Sequence, residues 1–131
     1  MPEPTVESIA AADEALYNHV SKLWPDVVIE REAQNRKWGL QRHPTLPPSK
    51  YPDLALLNFD LSTAADARAD CDAAEKDGTL SWLHIAIEEL CESAEAAVLH
   101  GEHSTELHTE LVQLAAVVFA WIESVDARSE Q

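Results

Sequence analysis

The chain has 131 residues, 46% of them hydrophobic, which is the size of one domain with enough apolar side chains to fill a core. A formal net charge of −15 excludes a protein that coats nucleic acid, because duplex phosphates are held by clustered lysines and arginines whose binding releases counterions. The opening MPEPTVESIA lacks a basic start followed by an apolar run, and no stretch approaches the ~18 uninterrupted apolar residues of a membrane span, so the expectation is a soluble cytoplasmic protein with no membrane partner.

Helical periodicity predicts helices over residues 5 to 23, 26 to 37, 61 to 77, 80 to 100 and 104 to 126, with no convincing strand. The expected fold class is therefore all-α, a bundle of four to five helices forming a single domain over residues 1 to 131, with no internal repeat. Five of the nine Lys and Arg residues, Arg31, Arg36, Lys37, Arg42 and Lys50, fall in and just after the second predicted helix. That makes this segment the natural phosphate-facing surface. Within it Trp38 can stack on a base and Gln34 can hydrogen-bond to a base or sugar; the plainer alternative is that Arg31 and Lys37 pair with surface carboxylates and that the tryptophans pack.

Residues 39 to 58 contain Pro44, Pro47, Pro48 and Pro52 and are expected to form a long loop, since proline cannot continue a helix or a central strand. Gly78 and Gly101 stand where helical periodicity stops, as residues just past a helix end do. Cys71 and Cys91 each sit in predicted helix and read as reduced packing residues.

In the helix over 80 to 100, Leu83, Ile87, Leu90, Ala94, Ala97 and Val98 make one apolar stripe, expected to face the core. Glu88, Glu89, Glu92 and Glu95 occupy the other side together with Ile85 and Ala96, an acidic face mixed enough to be partly covered. The last helix has Leu107, Leu111, Leu114, Val118, Trp121 and Val125 on one stripe and Val112, Ala116, Phe119 and Ala120 opposite. A helix apolar on both sides is buried all round, more than a chain of this size supplies alone, so a homodimer or homotetramer is expected, with the site completed by oligomerisation.

Residues three or four apart share a helix face, so Glu89 with Glu92, and Glu88 with Glu92, can direct carboxylates into one volume, as can Glu110 and Gln113 on the next helix. A short connection at Gly101 makes those two helices antiparallel neighbours. Oxygen ligands converging from both suit Mg2+, or Mn2+, a hard cation that keeps waters and accepts phosphate oxygens. The plainer reading of an EELCE run is a solvated face, and of Gln113 a buried amide. His100, His103 and His108 straddle a helix end without partners at zinc spacing. A di-iron carboxylate bundle needs Glu-x-x-His pairs, and none of the six histidines has Glu three residues before it.

EELCE followed by Glu110-Leu-Val-Gln113 resembles the EExxE…ExxD signature of the MazG-like all-α nucleoside triphosphate pyrophosphohydrolases. Upstream, Glu30-Arg31-x-x-Gln34-x-x-Lys37-Trp38-Gly39-x-Gln41-x-His43-Pro44 is similar to a block in phage and actinobacterial members, and Trp82 and the LVQLAAVVFAW run extend the resemblance over about residues 30 to 125. The resemblance implies Mg2+ on Glu89, Glu92 and Glu110, with the amide oxygen of Gln113 as a further ligand at the motif's last position; Glu88, which points about 100° away from Glu89 and need not be a ligand, is the spare carboxylate expected to take a proton from water. It also implies a nucleoside triphosphate substrate cleaved to monophosphate and pyrophosphate, with Arg31, Gln34, Lys37 and Trp38 on the substrate. Gln113 departs from the usual Asp and removes one negative charge. The alternative function is therefore a non-catalytic nucleotide-binding or regulatory protein with a degenerate metal site, followed by a dimerisation module without a ligand.

Overall fold

The computed structural model describes residues 2–48, 50–51, 54–57 and 59–129, with side chains up to residue 127. Four α-helices and no strand are present among them: α1 (Val6–Trp38), α2 (Ala64–Asp77), α3 (Trp82–His100) and α4 (Thr105–Ser129). The all-α expectation is met. Two compact units separate along the chain, Met1–Arg42 and His43–Gln131.

The first unit is essentially α1. Thr5 caps its N-terminus, accepting a hydrogen bond from the Ser8 amide at 3.0 Å. The break expected around Trp24 and Pro25 does not occur: one helix of 33 residues runs through Pro25. Proline removes the amide that would bond to the Ser21 carbonyl, but Ser21 is exposed, so water can satisfy that oxygen. The helix continues at the cost of one internal hydrogen bond.

The second unit carries α2, α3 and α4. The predicted loop runs to Thr63 with isolated turns, such as Leu54 N to Tyr51 O at 2.8 Å; Ser49, Pro52, Asp53 and Asn58 of that loop lie outside the described residues. Thr63 caps α2 through the Asp66 amide at 3.1 Å. Gly78 ends α2 in the left-handed region, φ 72° and ψ 20°, which a residue without Cβ adopts freely, and the Gly78 and Thr79 amides close on Ala74 and Glu75 carbonyls. Ser81 opens α3 with a capping box in which His84 takes the place usually held by Glu or Gln: the His84 amide donates to Ser81 Oγ and the Ser81 amide donates to His84 Nδ1. Gly101 follows α3, and Ser104 caps α4 through the Leu107 amide at 3.1 Å.

α3 packs against both α2 and α4. On α2 the buried residues are Ala64, Ala67, Cys71 and Ala74, a stripe of small side chains at three- and four-residue steps. Ala64 and Ala67 meet Cys91 of α3, which is 1% exposed. A second cluster joins Ala96 and Ala97 to Leu107 of α4, with Leu46 of the loop laid over it. The expected core face of α3 is therefore corrected. Leu83, Ile87 and Leu90 are exposed and Ala94 and Val98 are half-buried; of the expected stripe Ala97 is buried, joined there by Cys91, Ser93 and Ala96. Small side chains let two helices approach α3 closely, and this selects the Ala/Cys/Ser face over the bulkier one. On α4 the chain buries Leu107 and leaves Leu111, Val112, Val118 and Val125 exposed.

Candidate metal centre

Packing α3 by its small-residue face brings its glutamates to the two helix seams. Glu88, Glu89, Glu92 and Glu95 are all half-buried, so the partly covered acidic face expected from the sequence is present. The turn at residues 101–104 folds α4 back antiparallel to α3, and Glu110 of α4 arrives beside Glu89 and Glu92. One ligand oxygen from each of Glu89, Glu92 and Glu110 lies within 4.8 Å of the others. Among the described residues this is the group of His, Cys, Asp or Glu side chains able to hold a metal ion; His100, His103 and His108 are exposed and form none.

Glu89 Oε2 and Glu110 Oε2 are shut off from solvent and accept no hydrogen bond among the described residues. A buried carboxylate oxygen without a donor is costly. Burial first, then the negative charge of Glu92, Glu110 and Glu88, pushes the Glu89 carboxyl above the ordinary glutamate range. Burial and then Glu92 do the same to Glu110, with Arg68 opposing. A divalent cation answers all of these at once, since it supplies ligation to the orphaned oxygens and cancels the mutual repulsion. The residues present fit such an ion.

Glu88 is turned to the other seam. Its Oε1 lies 3.4 Å from Arg68 Nε of α2, while Arg68 Nη2 donates to Glu92 Oε1 at 2.8 Å. Arg68 is the residue that sequence reasoning missed. Its only signal is isolation, as the one basic side chain between Lys50 and Lys76 in a helix of alanines and acids, one turn from the buried Ala64 and Cys71. Gln113 follows Glu110 by one turn of α4 and is exposed, so the buried-amide reading does not hold within this chain.

Arg31, Gln34, Lys37 and Trp38 lie on α1, in the other unit. Arg31 Nη1 donates to Gln34 Oε1, Gln34 Nε2 donates to Glu30 Oε1 at 3.3 Å, and Lys37 Nζ stands 4.9 Å from the centre of the Trp38 ring, a cation–π contact. These side chains thus satisfy one another along an exposed helix surface.

Leu90 and Leu111, together with Phe59, Leu61 and Leu107, line an apolar cavity of about 370 Å³ whose lining includes none of the three carboxylates. Its volume falls in the range of small-molecule sites. Thiol chemistry is not supported. Cys71 and Cys91 are free and buried, and burial first pushes the Cys71 thiol up to about 11, with Glu88 reinforcing it. No helix among the described residues is long and apolar enough to cross a membrane. No protein-family model, curated protein or solved structure matches the chain, and its functional reading therefore rests on the carboxylates themselves.

Proposed function

We propose that this chain is a divalent-cation-dependent nucleoside triphosphate pyrophosphohydrolase of the MazG-like kind, holding Mg2+ or Mn2+ on Glu89, Glu92 and Glu110. The observation that carries this reading is the convergence of these three carboxylates with two buried, unpartnered oxygens among them. When bound, the cation supplies neutralisation of the phosphates and a more acidic water. Water adds to the α-phosphorus as the bond from that phosphorus to the bridging oxygen breaks, and pyrophosphate leaves. Glu88, the neighbouring carboxylate left out of the trio, takes the water's proton once Arg68 releases it. Gln113 offers a neutral amide oxygen one turn beyond Glu110, and its exposure leaves it open to ligand.

A non-catalytic nucleotide-binding protein is the second reading, favoured by Gln113 standing where a fourth carboxylate would otherwise complete the charge. We further propose a homodimer or homotetramer, because α3 and α4 leave Leu83, Ile87, Leu90, Leu111 and Val118 uncovered. A panel of nucleoside triphosphates incubated with Mg2+ tests the whole reading. Release of monophosphate and pyrophosphate supports the enzyme, Mg2+-dependent binding without turnover supports the second reading, and neither result leaves a helical module without this chemistry.

A further inference from the structure

We propose that Arg68 is a phosphate ligand of this site, held on Glu88 and Glu92 until a phosphorylated substrate arrives. The inference rests on the reading above that the carboxylates take a divalent cation and a polyphosphate. Arg68 is placed by the α2–α3 seam. Ala64, one turn before it, and Cys71, one turn after, are both buried, which leaves the arginine stem at the edge of the seam with its head over the acidic face of α3. Solvent reaches 60% of the Arg68 side chain but only 20% of Glu88 and 17% of Glu92, so the guanidinium covers two recessed carboxylates from the solvent side.

Packing does not require an arginine there, since small residues already make the seam, and an exposed ion pair adds little to stability. The chemistry of the group gives it a use. A guanidinium fork matches two phosphate oxygens as well as it matches a carboxylate, and it stays charged in either setting. Arg68 engages its carboxylates through Nε and Nη2, and Nη1 makes no hydrogen bond among the described residues.

Charge then decides what a polyphosphate meets. Glu88, Glu89, Glu92 and Glu110 together present four carboxylates, of which one divalent cation cancels half. The remainder repels a triphosphate, and Arg68 is the cationic side chain that touches this group among the described residues. Glu92 is common to both parts of the site, being ion-paired to Arg68 and placed within the metal-holding trio. As Glu92 commits to the cation, the guanidinium loses its shorter contact and becomes available to the incoming phosphate. Cation and phosphate binding are thereby coupled through one carboxylate.

The test compares the wild-type chain with Arg68→Gln and Arg68→Lys in two titrations, one with Mn2+ alone and one with the Mn2+ complex of inorganic triphosphate. Far-UV circular dichroism checks that each variant is folded. Arg68→Gln is expected to bind Mn2+ at least as tightly as wild type and the triphosphate complex about ten-fold more weakly, the loss of one charged hydrogen-bonding group, with Arg68→Lys recovering part of it. Unchanged triphosphate affinity in Arg68→Gln overturns this inference alone. Loss of Mn2+ binding in that variant also overturns it, because Arg68 would then serve only to place Glu92. A wild-type chain that binds no Mn2+ overturns the metal reading on which it rests.

Discussion

Glu92 and Glu110 stand the same number of residues before and after Gly101, and the antiparallel hairpin folds one onto the other. Two acids repel at that distance, so the hairpin stores an unfavourable contact that Arg68 offsets in part and that protons or a bound metal cation relieve further. Addition of Mg2+ or Mn2+ is expected to raise the thermal midpoint by mass action, roughly 10 °C at about a hundred times Kd for a domain of this size. Glu89→Gln, Glu92→Gln and Glu110→Gln should each remove most of that rise. A full-sized metal response in all three variants, read by scanning fluorimetry, would take the ion away from these residues.

The same contact fixes a pH dependence. Glu89 and Glu110 have carboxyls raised above the ordinary 4.5. A raised acid binds its proton more tightly in the fold, so its stabilising contribution is complete below pH 4.5 and is lost as pH rises through the raised value. The cation-free protein should therefore lose stability from these two groups as pH climbs out of the ordinary glutamate range, and the midpoint gained on adding Mn2+ should be larger at neutral pH than at pH near 5. Glu110→Gln flattens the first trend. A metal-induced rise that is independent of pH contradicts the assignment.

Gln113→Asp adds a carboxylate one turn from Glu110. Because Gln113 is exposed, the change should move the cation-free midpoint by no more than the equivalent of about 0.5 kcal/mol, while the metal concentration needed for half-maximal stabilisation falls. Calorimetric titration with Mn2+ measures this directly. Equal affinity in the two proteins removes Gln113 from the site.

The uncovered Leu83, Ile87 and Leu90 of α3 and Leu111 and Val118 of α4 lead to a prediction about mass. Light scattering at micromolar concentration should give at least twice the chain mass of 14.5 kDa, and Val118→Glu should shift the population toward monomer. A wild-type monomer at that concentration refutes the assembly.

Much of this was legible in the residues, and the gaps have physical causes. Gly78 and Gly101 mark helix ends because glycine adopts a positive φ cheaply, as Gly39 also does after α1, and the spacing of Glu89, Glu92 and Glu110 was enough to bring them together once Gly101 made a hairpin. Pro25 misled because the helix rule counts the lost amide and not the solvent beside Ser21. The buried face of α3 keeps Ala97 of the expected stripe but departs from its larger members because periodicity ranks side chains by hydrophobicity, whereas close helix approach selects them by size, and Cys91, Ser93 and Ala96 are the smaller set. Arg68 was invisible because a long side chain crossing from a neighbouring helix leaves no trace in the spacing of either helix.

The seam of Ala64, Ala67 and Cys91 has one more consequence. Alanine has no χ angle, so almost nothing along that contact can adopt a second rotamer, and the gap between α2 and α3 is set by the Cβ carbons themselves. The reach of the guanidinium over the acids is then a length dictated by methyl groups lying outside the site, as the thickness of a shim dictates the clearance of a bearing. Adjusting the grip of this site on its ligand would be done most finely not by exchanging a charged residue but by adding or removing one carbon in the shim.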